Sequence, residues 1–125
     1  MKTLVVDDSK VMRLMVIRAL RQAQLAKFDC DEAPDGKTAL EMFNEGDYQI
    51  VFVDFNMPHM NGLEFVEQVR ASGKSDVPIA MITSEKTASI QQQVEEAGAN
   101  AYISKPFTPD QLRDALEPLI EAIEG

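Results

Sequence analysis

Short apolar runs alternate with longer amphipathic segments along this chain, and the alternation repeats five times. The apolar runs are rich in β-branched residues, as expected of strands in a sheet that is covered on both faces. The second run is more polar: Phe28, Cys30 and Glu32 alternate with acids, which is typical of an edge strand. The predicted strands span residues 3–6, 28–33, 50–54, 78–83 and 101–104.

The segments between these runs carry apolar residues at helical spacing. They predict helices over residues 9–25, 36–46, 62–71, 86–97 and 109–124. Ser9 is a suitable cap for the first helix, and Thr108-Pro109-Asp110-Gln111 opens the last with a capping box and an early proline. Because proline removes a backbone hydrogen bond, Pro118 predicts a kink or loosening between Asp114 and Pro118.

Five βα units with right-handed crossovers predict an α/β domain with a doubly wound, five-stranded parallel sheet. The 125 residues are 45% hydrophobic and 26% charged, which suits one globular domain. The net charge of −9 disfavours nucleic-acid or anionic-membrane binding, because both use basic patches. The N-terminal residues fit neither a signal peptide nor a membrane span, and the single Cys30 excludes an intrachain disulfide. We therefore expect one cytoplasmic, monomeric domain over residues 1–125.

Polar residues suited to phosphate chemistry stand where four of the predicted strands end. They are Asp7-Asp8, Asp54, Thr83 and Lys105. In a parallel sheet the carboxyl ends of the strands meet at one edge, and ligands bind there. The pattern therefore predicts one small site with three acids, one hydroxyl and one ammonium group.

Three carboxylates held close together repel one another, and a divalent cation removes that cost. Hard oxygen ligands fit Mg²⁺, and the backbone carbonyl of Asn56 is a further candidate ligand. Asp54 is a candidate nucleophile, because carboxylates form acyl phosphates. Thr83 and Lys105 are suited to contact phosphoryl oxygens. Each residue also has an ordinary role: a loop acid, a turn aspartate, a strand threonine or a surface lysine.

Four segments in order along essentially the whole chain resemble the receiver domain of two-component response regulators. They are residues 4–8 (LVVDD), 54–62 (DFNMPHMNG), 82–84 (ITS) and 102–107 (YISKPF). The resemblance implies a flavodoxin-like (CheY-like) fold with strand order 2-1-3-4-5. It also implies a protein that catalyses its own phosphorylation and dephosphorylation while serving as a signalling phosphoacceptor rather than as an ordinary enzyme.

The resemblance implies a role for each matching residue. Asp54 is the expected phosphoacceptor, Lys105 is expected to bind phosphate, and Mg²⁺ is expected to be bound by Asp7, Asp8, Asp54 and the Asn56 carbonyl. Thr83 and Tyr102 are the expected switch pair, and the bond before Pro106 is expected to be cis. Asn56 and Glu85 are expected to tune dephosphorylation. The Asn56 and Glu85 pair is similar to that of chemotaxis proteins with short-lived phosphorylation, so a lifetime of seconds or minutes is expected.

The implied function is transfer of a phosphoryl group from the phosphohistidine of a histidine kinase or histidine phosphotransfer protein to Asp54. Phosphorylation would then alter a partner face made of helix 86–97, strand 101–104 and the last helix, in two-component or chemotaxis signalling. A phosphorelay or another non-motor partner is an alternative output, since Lys86 is the only basic residue of helix 86–97.

Other classes of protein share parts of this pattern. A haloacid-dehalogenase-like phosphatase also uses an aspartate nucleophile, but it normally has a second aspartate two residues on, where this chain has Asn56. A flavodoxin would have a Ser/Thr/Gly-rich phosphate loop after the first strand. A pseudo-receiver would lack part of the acid set, and a receiver cut from a DNA-binding regulator stays an alternative.

Overall fold

The computed structural model describes residues 1–73, 76–85 and 87–125. The strands are β1 Lys2–Val6, β2 Asp29–Ala33, β3 Ile50–Asp54, β4 Ile79–Thr83 and β5 Ala101–Ser104. The helices are α1 Lys10–Ala23, α2 Gly36–Glu45, α3 Gly62–Ala71, α4 Ala88–Ala97 and α5 Pro109–Glu124. All ten predicted elements are present, with ends within two residues of the prediction. The predicted start of the fourth helix, Lys86, lies outside the described residues.

The five strands form one parallel sheet in the order β2-β1-β3-β4-β5. Strands β3 and β4 lie inside the sheet and bury all five of their residues, which explains the four apolar residues in a row before the final Asp54 and Thr83. Strand β2 is an edge strand, as its alternating pattern predicts, and most of it is exposed. Burial raises the pKa of the half-buried Cys30 thiol in β2 to about 11, which favours its protonated form at neutral pH.

Apolar side chains cover the sheet in two layers. Alternate residues of β3 point to opposite faces, so Phe52 packs with α1 and α5 while Val51 packs with α2, α3 and α4. Leu20 and Leu116 are fully buried in the first layer. The two layers hold the sheet between helices and leave its carboxyl edge open for a site. Within the described ranges, no helix has the length and apolar character needed to cross a membrane.

The helix ends follow the local sequence signals. The Ser9 side chain accepts a hydrogen bond from a first-turn amide of α1, and Thr108 and Gln111 form the predicted capping box of α5. Helix α5 continues through Pro118, so the predicted loosening does not interrupt it. Pro118 lies on the exposed face, away from the buried side of the helix formed by Leu116 and Ile120.

Gly62 lets the start of α3 pack closely against the end of β3. A Cβ atom at this position would lie 2.6 Å from the carbonyl oxygen of Asp54 and 2.9 Å from the Cα of Phe55. The Gly62 amide donates a hydrogen bond of 2.9 Å to the Phe55 carbonyl. Since these two atoms belong to the backbone, they move only if the end of β3 and the loop that follows it move.

We expect Gly62→Ala to lower the free energy of unfolding by about 1–3 kcal/mol, because the added methyl group overpacks this contact. Gly73→Ala is the matched control, since a Cβ atom added there would meet no described residue within 4 Å. The control should change stability by less than about 0.5 kcal/mol. Equilibrium urea unfolding measures both, and equal stability of the two variants would contradict the close contact.

Candidate functional site

Three carboxylates meet at the carboxyl edge of the sheet. Strands β1 and β3 are neighbours and pair Val6 with Val53, so the next residues, Asp7 and Asp54, come side by side. Carboxylate oxygens of Asp7, Asp8 and Asp54 lie within 4.8 Å of one another. Asp7 and Asp54 are only 4% and 6% exposed, whereas Asp8 is exposed. The acids therefore form a pocket with one open side, at Asp8.

Lys105 supplies a cation to this acid pocket. Its Nζ lies 2.9 Å from Asp54 Oδ1 and 3.4 Å from Asp7 Oδ2. The lysine directly follows β5, and its backbone amide donates a hydrogen bond of 2.8 Å to the Thr83 carbonyl. The Lys105–Pro106 peptide bond is cis. One ammonium thus faces three carboxylates, and the pocket keeps an excess of negative charge.

The charge of Asp54 is costly in this setting. Burial raises the pKa of Asp54 above its usual range, and the nearby charges of Asp7 and Asp8 raise it further. The hydrogen bond and positive charge of Lys105 act in the opposite direction. A second cation in the pocket would relieve the same repulsion, and so would favour the ionised, nucleophilic form of Asp54.

The donor set fits Mg²⁺, which prefers hard oxygen ligands and keeps several waters. Both oxygens of Asp7 are engaged: Oδ1 accepts a 2.9 Å hydrogen bond from the Ser9 amide, and Oδ2 faces Lys105. Asp8 is exposed, and its carboxylate makes no hydrogen bond with any other described residue. This difference suits direct binding of a metal by Asp8 and binding through water by Asp7. Asn56 is exposed two residues beyond Asp54, and no hydrogen bond between described residues ties it to the pocket.

Thr83 and Tyr102 are joined through the backbone of Glu85. Thr83 ends β4 and is fully buried, and its Oγ1 accepts a 3.0 Å hydrogen bond from the Glu85 amide. The hydroxyl of the half-buried Tyr102 donates a hydrogen bond to the Glu85 carbonyl. Burial and the charge of Glu85 raise the pKa of Tyr102, so the phenol keeps its proton at neutral pH. A displacement of Thr83 would therefore reach Tyr102 through one residue.

Arg13 belongs to the surroundings of the acid pocket, but the pattern of the sequence does not reveal it. Its Nη1 donates a 2.7 Å hydrogen bond to the Asp7 carbonyl, while Nε pairs with Glu32 at 2.9 Å. The available signal was its place one helical turn after the Ser9 cap, which directs its side chain back toward the acids. His59, by contrast, is exposed in the loop after β3 with φ of 67°.

The family model described as the response regulator receiver domain matches residues 3–117. The chain belongs to this family. Receiver domains are signalling domains, and the match separates this chain from the phosphatases and flavodoxins that share parts of its pattern. The resemblance read from the four segments is therefore confirmed.

Similar receivers include several named chemotaxis proteins. The "Chemotaxis protein CheY-3" of Vibrio cholerae is 39% identical over 98% of this chain and 94% of its own length. The "Chemotaxis protein CheY" of Pseudomonas aeruginosa is 36% identical over the full length of both chains. The solved structure of CheY4 of Vibrio cholerae superposes with a TM-score of 0.83 at 35% identity, covering 94% of this chain and 96% of that one. The predicted CheY-like fold is thus confirmed.

We expect Mg²⁺ to stabilise this receiver, because an ion that binds the folded acid pocket and not the unfolded chain favours the folded state. At ten times its Kd it should add about 1.4 kcal/mol, which raises Tm by about 5 °C in a domain of this size. Asp8→Asn should lose most of this gain, and in EDTA it should be at least as stable as the wild type, because one repelling charge is removed.

Thermal unfolding in EDTA and in MgCl₂, with NaCl at matched ionic strength, measures these effects. Asp114→Asn, an exposed acid on α5, is the control for loss of a negative charge and should keep the full Mg²⁺ gain. An identical Tm in EDTA and MgCl₂ for the wild type would contradict metal binding at this pocket.

Proposed function

We propose that this receiver accepts a phosphoryl group on Asp54 from the phosphohistidine of a histidine kinase or histidine phosphotransfer protein. One observation carries the proposal: a buried aspartate shares a pocket with two further acids, and its Oδ1 lies 2.9 Å from the Lys105 ammonium. Such a pocket combines a nucleophile, a place for a divalent cation and a cation for phosphoryl oxygens. We propose that it acts in the cytoplasm as a monomer.

In the proposed reaction the Asp54 carboxylate attacks phosphorus, the new oxygen–phosphorus bond forms, and the nitrogen–phosphorus bond of the donor breaks. The imidazole leaves with the electron pair of that bond. Lys105 holds Oδ1 of Asp54, which leaves the other oxygen for attack. Negative charge spreads over three equatorial oxygens in the transition state, and Lys105 is within reach to stabilise it. When bound at Asp7, Asp8 and Asp54, Mg²⁺ would supply further neutralisation of that charge.

The helix beside the pocket supports a protein donor. Helix α1 exposes three large apolar side chains, Val11, Leu14 and Met15, to 67%, 48% and 52%. A cavity of about 270 Å³ lies next to them and is lined by Met12, Met15, Ser84, Lys105, Pro106 and Phe107. Apolar surface that borders a reactive group is suited to contact another protein.

The proposed response to phosphorylation depends on the hydrogen bonds that link Thr83 to Tyr102 through Glu85. A phosphoryl group adds about −1.5 to −2 charge and strong hydrogen-bond acceptors. The Thr83 hydroxyl donates to no acceptor among the described residues, so its proton is free to bind a phosphoryl oxygen once the side chain turns. That movement would break its bond from the Glu85 amide and shift the population of states on the face of α4, β5 and α5.

We propose that this face binds the downstream target, in a chemotaxis-type pathway. The names of several similar receivers support this output. A phosphorelay or another non-motor partner is the second candidate. It is favoured by the surface of α4, because helix Ala88–Ala97 has no basic residue. We propose that Asn56 and Glu85 set the rate of dephosphorylation, since they lie two residues beyond Asp54 and Thr83.

Incubation with acetyl phosphate and Mg²⁺ should add the mass of one phosphoryl group to the wild type, measured by intact-mass spectrometry. Asp54→Asn should gain nothing, because the amide is not a nucleophile for phosphorus. Asp114→Asn is the matched control, with the same chemical change at an exposed site on α5. Absence of a mass gain in the wild type would remove the proposed function.

Tyr102→Ala should spare phosphorylation but weaken the switch. We expect its rate of modification by acetyl phosphate to stay within about twofold of the wild type, since the ring acts on the equilibrium between states and not on the chemistry. The NMR shifts that beryllofluoride induces in residues 87–104 should shrink. Tyr102→Phe, which removes only the hydroxyl bond to Glu85, separates the two contributions. Unchanged shifts in both variants would argue against a role of Tyr102.

A further inference from the structure

Arg13 connects the acid pocket to helix α1 and to the edge strand β2. Its side chain is 12% exposed. Nη1 donates a 2.7 Å hydrogen bond to the backbone carbonyl of Asp7, and Nε donates a 2.9 Å hydrogen bond to Glu32 Oε1. The guanidinium is planar, so one group can address these two oxygens in fixed directions. Arg13 thus contacts the turn that carries the acids without contacting their carboxylates.

The carbonyl that Arg13 holds belongs to the peptide between Asp7 and Asp8. Its orientation decides where the following residue points. The rest of Asp7 is also held: its amide donates to the Ala33 carbonyl at 3.2 Å, and its Oδ1 accepts from the Ser9 amide at 2.9 Å. Asp8 is different, because its side chain makes no hydrogen bond to any residue in the described ranges. Its position therefore depends on the backbone that Arg13 anchors.

The position of Arg13 is itself well defined. Its amide donates to the Ser9 carbonyl at 3.0 Å, which places it one turn into α1. On the other side, the sheet register pairs Glu32 with Val5, two residues before Asp7. The edge strand thus brings a carboxylate alongside the acid turn. Glu32 lies on the same side of β2 as Phe28 and Cys30, facing α1, and the ion pair with Arg13 satisfies its charge there.

We propose that Arg13 is a positioning residue that holds the Asp7–Asp8 peptide so that Asp8 is oriented for Mg²⁺ before the ion arrives. This inference rests on the proposed function, because it concerns the metal of the phosphorylation site. Glu32 serves the same purpose indirectly by fixing the guanidinium.

The sign of the effect distinguishes positioning from simple electrostatics. Arg13 is a cation beside a site for another cation, so by charge alone its removal should tighten Mg²⁺ binding. If Arg13 orients Asp8, its removal should weaken binding despite the loss of repulsion. Groups that orient metal ligands typically change metal affinity by about 10–100-fold.

Titration of the amide NMR signals of the acid turn with MgCl₂ gives the test. We expect the Kd for Mg²⁺ to rise by about tenfold in Arg13→Met, the lower end of that range. Arg13→Lys keeps the charge but loses the planar fork, and should also bind more weakly. Arg18→Met is the matched control on the same helix, because Arg18 is exposed, and should bind Mg²⁺ as the wild type does or slightly more tightly. An Arg13→Met protein that binds Mg²⁺ as well as the wild type, or better, would overturn the proposal.

Hydrogen exchange in EDTA provides a readout that does not involve the metal. The Ser9 amide, which donates to Asp7 Oδ1, should exchange faster in Arg13→Met than in the wild type, while amides of β3 should not change; equal exchange at Ser9 would count against the proposal. If Arg13→Met does not fold, the Kd for Mg²⁺ and the amide exchange of Arg13→Lys and Glu32→Gln are compared with those of the wild type instead. A wild type that binds no Mg²⁺ would instead refute the proposed function, so the two failures are distinguishable.

Discussion

Repulsion among three carboxylates is the constraint on which the rest of this structure depends. Carboxylate oxygens of Asp7, Asp8 and Asp54 lie within 4.8 Å of one another, and Asp7 and Asp54 are buried. Such an arrangement costs free energy, and it persists because the strands that carry it are clamped between two apolar layers. Lys105 offsets part of the cost. The remaining negative charge suits the pocket to a divalent cation, and the proposed phosphorylation of Asp54 depends on that neutralisation.

Two cations support this pocket in different ways, and the difference follows from their chemistry. Lys105 presents a compact charge on a flexible stem, so it can contact a carboxylate in one state and, in the proposed reaction, a phosphoryl oxygen in another. Arg13 presents a rigid fork that is engaged on both sides, by a backbone carbonyl and by Glu32. Lys105 is thus suited to change its partner during the proposed reaction, while Arg13 is suited to keep the acids in place.

The same edge of the sheet connects the pocket to a surface. Thr83 ends β4, and Lys105 directly follows the adjacent strand β5. The Lys105 amide donates a hydrogen bond to the Thr83 carbonyl. From Thr83 a hydrogen bond leads to Glu85, and from Glu85 another leads to Tyr102. A change in charge at Asp54 therefore lies a few contacts from the face of α4, β5 and α5. The short path is a consequence of the parallel sheet, which places the ends of neighbouring strands together.

The pattern of residues determined the elements of this protein and the chemistry available to it. Strand and helix periods, the Ser9 and Thr108 caps and the polar edge strand depend on neighbours in sequence, so they could be read directly. The same pattern located Asp7, Asp8, Asp54, Thr83 and Lys105 at strand ends. The strand order came from the family resemblance rather than from the pattern, and the roles that the resemblance implies for Asn56 and Glu85 stay predictions.

Only the tertiary structure decided which of these residues touch. The pairing of β1 with β3 brings Asp7 to Asp54, and the path of the chain after β5 brings Lys105 to both. The place of Arg13 one turn after the Ser9 cap was a weak signal for its contact with the acid turn, whereas its ion pair with Glu32, 19 residues away in the chain, had no local signature. Long-range strand pairing and side-chain reach set these distances, and neither is encoded in the spacing of apolar and polar positions.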